Sequence, residues 1–145
     1  MGCVRGVCIS KARKTSAERV GRCMAEEKGL VGDIHYGFGD KQVSLLPYDR
    51  VKGYFEEAGE AVRFGRFGEN LVAEGIDWDE IRVGSRFVCG EALLEVVKIG
   101  AGGPASEAYK GEKVCTPMEP YFVFCKVIKG GELREGSPIQ KEEEV

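Results

Sequence analysis

The sequence predicts a mainly β fold: a closed or nearly closed β-barrel with one clear helix. Three observations lead there. The chain has 21 glycines against 5 prolines in 145 residues, spread without a G-x-y period, which marks many tight turns and neither a collagen nor a linker. Short apolar and β-branched runs recur between those glycines. Only one stretch carries helical periodicity, so the alternating helices of a doubly wound α/β sheet are missing. Many short strands with little helix are accommodated by a barrel, which leaves few edges open.

The elements follow in order. Residues 4–9 are a first β-prone run, ending at the basic stretch 11–14. Residues 20–24 make a second candidate strand, and 29–37 hold too many glycines for a helix. A third strand is expected over 42–46. Pro47 then opens the helix: Val51, Tyr54, Phe55 and Ala58 fall at i, i+3, i+4 and i+7, with Pro47 in its first turn and Gly59 as its stop. Residues 64–71 read as a loop running into a strand. Residues 86–89 and 92–99 form a hairpin through Gly90 and Glu91. A loop or short helix is expected over 101–112, the strongest strand over 121–128, and a last short strand near Ile139 after the Gly130-Gly131 turn.

This length suits one domain, here residues 1–139, and 43% hydrophobic residues are enough for a true core. Residues 140–145, with Glu142, Glu143 and Glu144 in a row, read as a disordered acidic tail. A net charge of −3 lacks the footprint of a nucleic-acid binder. No apolar run approaches the roughly 18–20 residues of a membrane span. The opening residues have no secretory apolar region. A cytoplasmic protein with six reduced cysteines is therefore expected, interacting with neither membrane nor nucleic acid.

Three places carry chemistry. Asp33 and His35, the only histidine, form either a carboxylate-oriented imidazole for a ligand or proton, or a pair of turn caps. Arg63 and Arg66 lie among Gly65 and Gly68, where forked donors beside backbone N–H groups suit an anion. The alternative for both is plain surface charge, and Glu69 and Asn70 read as buried hydrogen-bonders fixing that loop. Cys8, Cys89 and Cys125 sit in apolar strands that keep a thiol inert. Cys115 instead follows Lys110 and Lys113 and precedes Pro117, a setting that favours a thiolate, or else it is an ordinary strand-entry cysteine. No metal site is expected: there is no C-x-x-C pair, and His35 with Cys23 and Cys115 has no ligand spacing.

Read together, G-D-x-H-x-G at 32–37, Q-V-S-L-L at 42–46, F-G-E-N-L at 67–71 and E-G-I-D at 74–77 resemble the MOSC domain. This family is named for the C-terminal domain of molybdenum cofactor sulfurase. The likeness extends from G-V-C-I-S at 6–10 to V-I-K-G-G at 127–131, and is to the small stand-alone bacterial type. It implies a barrel of pyruvate-kinase-barrel type and a sulfur-carrier or molybdenum-cofactor-handling role. In that family a cysteine after the strand matching 94–99 is thought to carry sulfur as a persulfide. Residues 99–107 contain none here, which leaves Cys115 to deliver sulfur to a molybdenum-pterin or another acceptor, a sulfurtransferase-type activity. Arg63 and Arg66 would hold the phosphate of that ligand, with His35 and Lys41 lining the same mouth. The alternative is a non-catalytic barrel that binds a small phosphate-bearing or oxyanion ligand for a partner protein. The implied partners are a separate cysteine desulfurase or a molybdoenzyme, with no pyridoxal phosphate site expected in this chain.

Overall fold

The computed structural model describes residues 2–12, 16–100 and 116–143, the side chains of Thr116 and Pro117 excepted. Seven strands close on one another. They run β1 (Gly2–Ile9), β6 (Leu71–Glu74), β5 (Val43–Pro47), β9 (Val123–Lys129), β8 (Ala92–Ile99), β7 (Arg86–Cys89) and β11 (Pro138–Lys141), which returns to β1. The closing pairs are Gly2 with Ile139 and Cys3 with Pro138. Every neighbour is antiparallel except β5 and β6. A parallel pair needs a crossover, and helix α1 (Tyr48–Ala58) with the loop after it supplies one. The short β2 (Glu18–Arg19) extends the end of β1. A side sheet is formed by β10 (Gly131–Arg134), β3 (Arg22–Glu26) and β4 (Gly29–Leu30).

Two cores hold this together. Val4, Leu45, Leu71, Phe87, Leu94 and Ile139 are among the residues that fill the barrel. Outside it, Val51 and Phe55 of α1 pack with Leu46, Phe67, Val72 and Phe122. All five residues of β5 are therefore buried, one face in the barrel and the other under α1, which is why this strand reads as an unbroken apolar run. Tyr54 joins the outer core at its edge. Ala58, placed on the apolar face by its spacing, is exposed, because it falls in the last turn beyond the strands that α1 covers.

The 86–99 hairpin has the expected bounds, turned at Gly90 with φ 59°. Gly59 stops α1 in the left-handed conformation. Pro47 differs from expectation. It is the last residue of β5 and caps the helix from an extended conformation, so its fixed φ ends a strand before a helix begins. The last strand also runs past residue 139. Gln140 and Lys141 belong to β11, paired with Val88 and Phe87, because sheet pairing in the barrel outweighs the polar composition of those residues. Strand β10 was not foreseen: it alternates charged, outward residues with the buried Leu133, a weak apolar signal. Cys3, Cys8, Cys23, Cys89 and Cys125 are free thiols; Cys115 lies outside the described residues.

Candidate functional site

One end of the barrel is built around a buried carboxylate. Asp33 sits in the glycine-rich turn after β4, where Gly32 and Gly37 take φ values of 91° and 83°, open to glycine at little cost. Its Oδ1 accepts hydrogen bonds from the Ser10 backbone N–H at 2.7 Å and from Asn70 Nδ2 at 3.0 Å. Its Oδ2 accepts from the His35 backbone N–H at 3.0 Å and lies 2.8 Å from His35 Nδ1. Burial opposes the charge of Asp33. The bonds from His35 and Ser10 outweigh burial and hold its carboxyl below the usual range. An ionised carboxylate only accepts, so Nδ1 carries a proton and Nε2 is left without a protein partner among the described residues. The His35 ring is 45% exposed. The pair is thus an oriented imidazole, and Asp33 also ties its loop to the barrel.

Asn70 completes the tie. Its Oδ1 accepts from the Ser44 N–H at 2.9 Å, and its Nδ2 donates to the Cys8 carbonyl at 3.1 Å as well as to Asp33. One side chain so joins the end of β1, the start of β5, the start of β6 and the Asp33 turn.

Glu69 plays a different part. It is fully buried, and its two oxygens accept from the backbone N–H groups of Gly65, at 2.8 Å, and Phe67, at 3.0 Å. Burial pushes its carboxyl up to about 7 despite those bonds. The N–H groups expected to cradle an external anion are therefore occupied by the protein's own carboxylate. Arg63 and Arg66 rest on rings of the outer core, 5.7 Å from the centre of Phe55 and 5.5 Å from that of Phe67. Lys41 is exposed beside Gln42. Among the described residues, Asp33, His35 and Asn70 share one network, and no hydrogen bond or ion pair joins Lys41, Arg63 or Arg66 to it. Burial pushes the thiols of Cys8 and Cys23 up to about 12 and that of Cys89 to about 11, and raises Cys125 as well.

The opposite end holds a cavity of about 540 Å³. Pro47 at the end of β5, Ile99 at the end of β8 and Val123 at the start of β9 line it. Ser44 in the Asn70 network and Pro47 are three residues apart in β5, about 10 Å along the strand. Arg50, Trp78 and Tyr121 also line the cavity, and the Arg50 guanidinium lies 4.4 Å from the centre of the Tyr121 ring. Sequence reasoning missed all three. The one signal was Trp78, the only tryptophan, directly after the E-G-I-D motif.

The family model of the MOSC domain matches residues 31–99. That stretch, just under half of the chain, is similar to a MOSC domain. The matched stretch includes Asp33, His35, Lys41, Arg63, Arg66, Glu69 and Asn70, and the family's name connects the protein with molybdenum-cofactor handling. Solved structures share the architecture. The YuaD protein from Bacillus subtilis is 17% identical with a TM-score of 0.73, over 96% of this chain and 94% of that one. YiiM from Escherichia coli is 22% identical with a TM-score of 0.68, over 99% and 71%. YiiM from Geobacillus stearothermophilus is 17% identical with a TM-score of 0.70, over 99% and 76%. No curated protein matches the chain significantly. Among the described residues, no helix is long and apolar enough to cross a membrane.

Proposed function

We propose that this MOSC protein is a sulfur carrier whose Cys115 takes up sulfane sulfur and offers it at the cavity end of the barrel. One observation carries the reading. Ile99 and Tyr121, on either side of the segment that holds Cys115, both line the cavity, and the Gly100 N–H donates to the Phe122 carbonyl at 2.8 Å. The described chain resumes at the 3₁₀ segment Thr116–Tyr121, directly after Cys115 in the sequence. In the loading step the Cys115 thiolate attacks the outer sulfur of a donor persulfide. A Cys–S–S–H forms, and the donor leaves as its thiol. The donor is a separate protein or small persulfide. The other described thiols with resolved shifts are pushed far above neutrality by burial, so they do not compete for sulfur at pH 7.

A phosphate-bearing molybdenum-pterin does not suit the cavity itself, where Arg50 is outnumbered by Asp49, Asp77 and Asp79. A second reading is favoured by the exposed ring of His35, which donates from Nε2 in its imidazolium form: an oxyanion or the phosphate of such a ligand held at the Asp33 end, by His35, Lys41, Arg63 and Arg66.

Incubation with glutathione persulfide followed by peptide mass spectrometry tests the first reading. The Cys115 peptide should gain one sulfur atom, and the Cys115→Ser protein should gain none. Equal loading of Cys115→Ser overturns it. A thermal shift with molybdate or phosphate that disappears in Arg66→Ala supports the second.

A further inference from the structure

The cavity carries charges that no ion pair among the described residues answers. Asp49, Asp77 and Asp79 line it with a single opposing charge, Arg50. Among the described residues none of these four forms an ion pair within 4 Å. Arg50 instead stacks on Tyr121 at 4.4 Å. The nearby Arg82 spends its Nη1 on the carbonyl oxygens of Asp79 and Ile81, at 2.9 Å and 3.4 Å. Asp77 Oδ1 accepts from the Asp79 backbone N–H at 3.2 Å, a neutral donor that leaves its charge uncompensated. The three carboxylates and one guanidinium leave a net of two negative charges beside an aromatic wall of Trp78 and Tyr121. A volume of about 540 Å³ is in the range of small-molecule sites, roughly 300–1,000 Å³.

We propose that this cavity binds a small ligand with a cationic nitrogen on an apolar or aromatic body, and discriminates against phosphate-bearing and other purely anionic ligands. The nitrogen is met by the carboxylates of Asp77, Asp79 and Asp49. The body lies against Trp78 and Tyr121, whose ring faces also attract cations. Arg50, held on its ring, repels a second cation and takes an anionic group where the ligand is a zwitterion. This binding goes beyond the carrier reading above and needs no chemistry at Cys115.

Trp78 is the only tryptophan, so its fluorescence reports on the cavity directly. The full chain is titrated at pH 7 with benzylamine, benzyl alcohol, benzoate and inorganic phosphate, the first three sharing one ring and differing in charge. Benzylamine should change the emission saturably and bind more weakly as salt is raised, with the alcohol weaker and benzoate and phosphate without effect. The Asp77→Asn, Asp79→Asn double variant keeps the Oδ1 acceptor at position 77 and should lose affinity for benzylamine by roughly tenfold. Benzoate or phosphate binding as well as benzylamine overturns the proposal, as does the alcohol binding equally or the absence of any saturable change. Cys115→Ser should bind benzylamine like the wild type. Loss of sulfur loading with binding retained separates the two readings: a failure of benzylamine binding leaves the carrier reading standing, and a failure of loading leaves the cationic-ligand site standing.

Discussion

The two ends of the barrel treat charge in opposite ways. At the Asp33 end polar groups are buried and matched: Asp33 accepts four hydrogen bonds, Asn70 ties three strands, and Glu69 is chelated by its own loop. No buried side-chain nitrogen or oxygen among the described residues lacks a partner. At the cavity end, four charged side chains line open space with no ionic partner among the described residues. Satisfied buried networks rigidify a fold, and each member is expensive to remove. Charges left unpaired around a cavity cost little where they are solvated and remain available to a ligand. The most elaborate polar cluster among the described residues is therefore chiefly scaffold, and the exposed His35 ring is what it presents outward.

The largest effect that sharpens this contrast is expected at Asn70. Asn70→Ala strands the Ser44 N–H, the Cys8 carbonyl and one contact of Asp33, each a buried group worth about 1–3 kcal/mol when left unsatisfied. Urea unfolding should register a loss of roughly 4 kcal/mol. A loss below about 1 kcal/mol would place the rigidity of this end elsewhere.

Next comes Glu69, through pH. Its folded carboxyl titrates at about 7 against an ordinary 4.5, so between those values the folded state holds more protons than the unfolded one. Stability from this group is full below about 4.5 and is lost as pH rises towards 7, by an amount on the order of 3 kcal/mol. Asp33 has the opposite sign. Its carboxyl is held below the usual value, so its contribution is present above the ordinary carboxylate range and disappears as pH falls through the lowered one. Denaturation midpoints from pH 4 to 8 should decline in the wild type, and Glu69→Gln should abolish that slope. A slope unchanged in Glu69→Gln assigns it to another group.

Gly65 is the third test. It holds φ at 89°, and a Cβ there would run into the Ala17 carbonyl. The same residue gives its N–H to Glu69 and accepts from the Ala17 N–H at 2.8 Å. Gly65→Ala should cost roughly 2 kcal/mol, and Gly84→Ala, also at positive φ but with open space around it, should cost about half as much. Equal losses would show that backbone conformation alone, and not the packing of the loop on Ala17, sets the requirement for glycine.

Much of this was legible in the sequence where the interaction is local. The 86–99 hairpin, the stop of α1 at Gly59 and the Asp33–His35 pair lie within a few residues of themselves, and pattern alone locates them. Barrel closure was inferred from the number of strands, yet its register depends on Gly2 meeting Ile139, 137 positions away, which no periodicity encodes. The glycine-and-arginine loop misled for a physical reason: nearby N–H groups invite an anion, and Glu69 four residues on supplies one internally. The cavity was invisible because its walls come from the ends of β5, β8 and β9 and from turns between them. Only the fold brings Arg50, Trp78 and Tyr121 to one place.

The smallest expected effect decides the comparison most sharply. If the cavity-end carboxylates were structural, neutralising them would weaken the protein as Asn70→Ala does. Asp77→Asn and Asp79→Asn remove charges that make no ion pair among the described residues and keep the one backbone contact they provide. Folding stability should stay within about 0.5 kcal/mol of the wild type, and any change should be towards greater stability, since mutual repulsion is relieved. That gain should shrink in 0.5 M salt, where the Debye length falls to about 4 Å. A clear destabilisation instead would mean that these carboxylates hold the 77–80 turn in place, and that the two ends are built on the same plan.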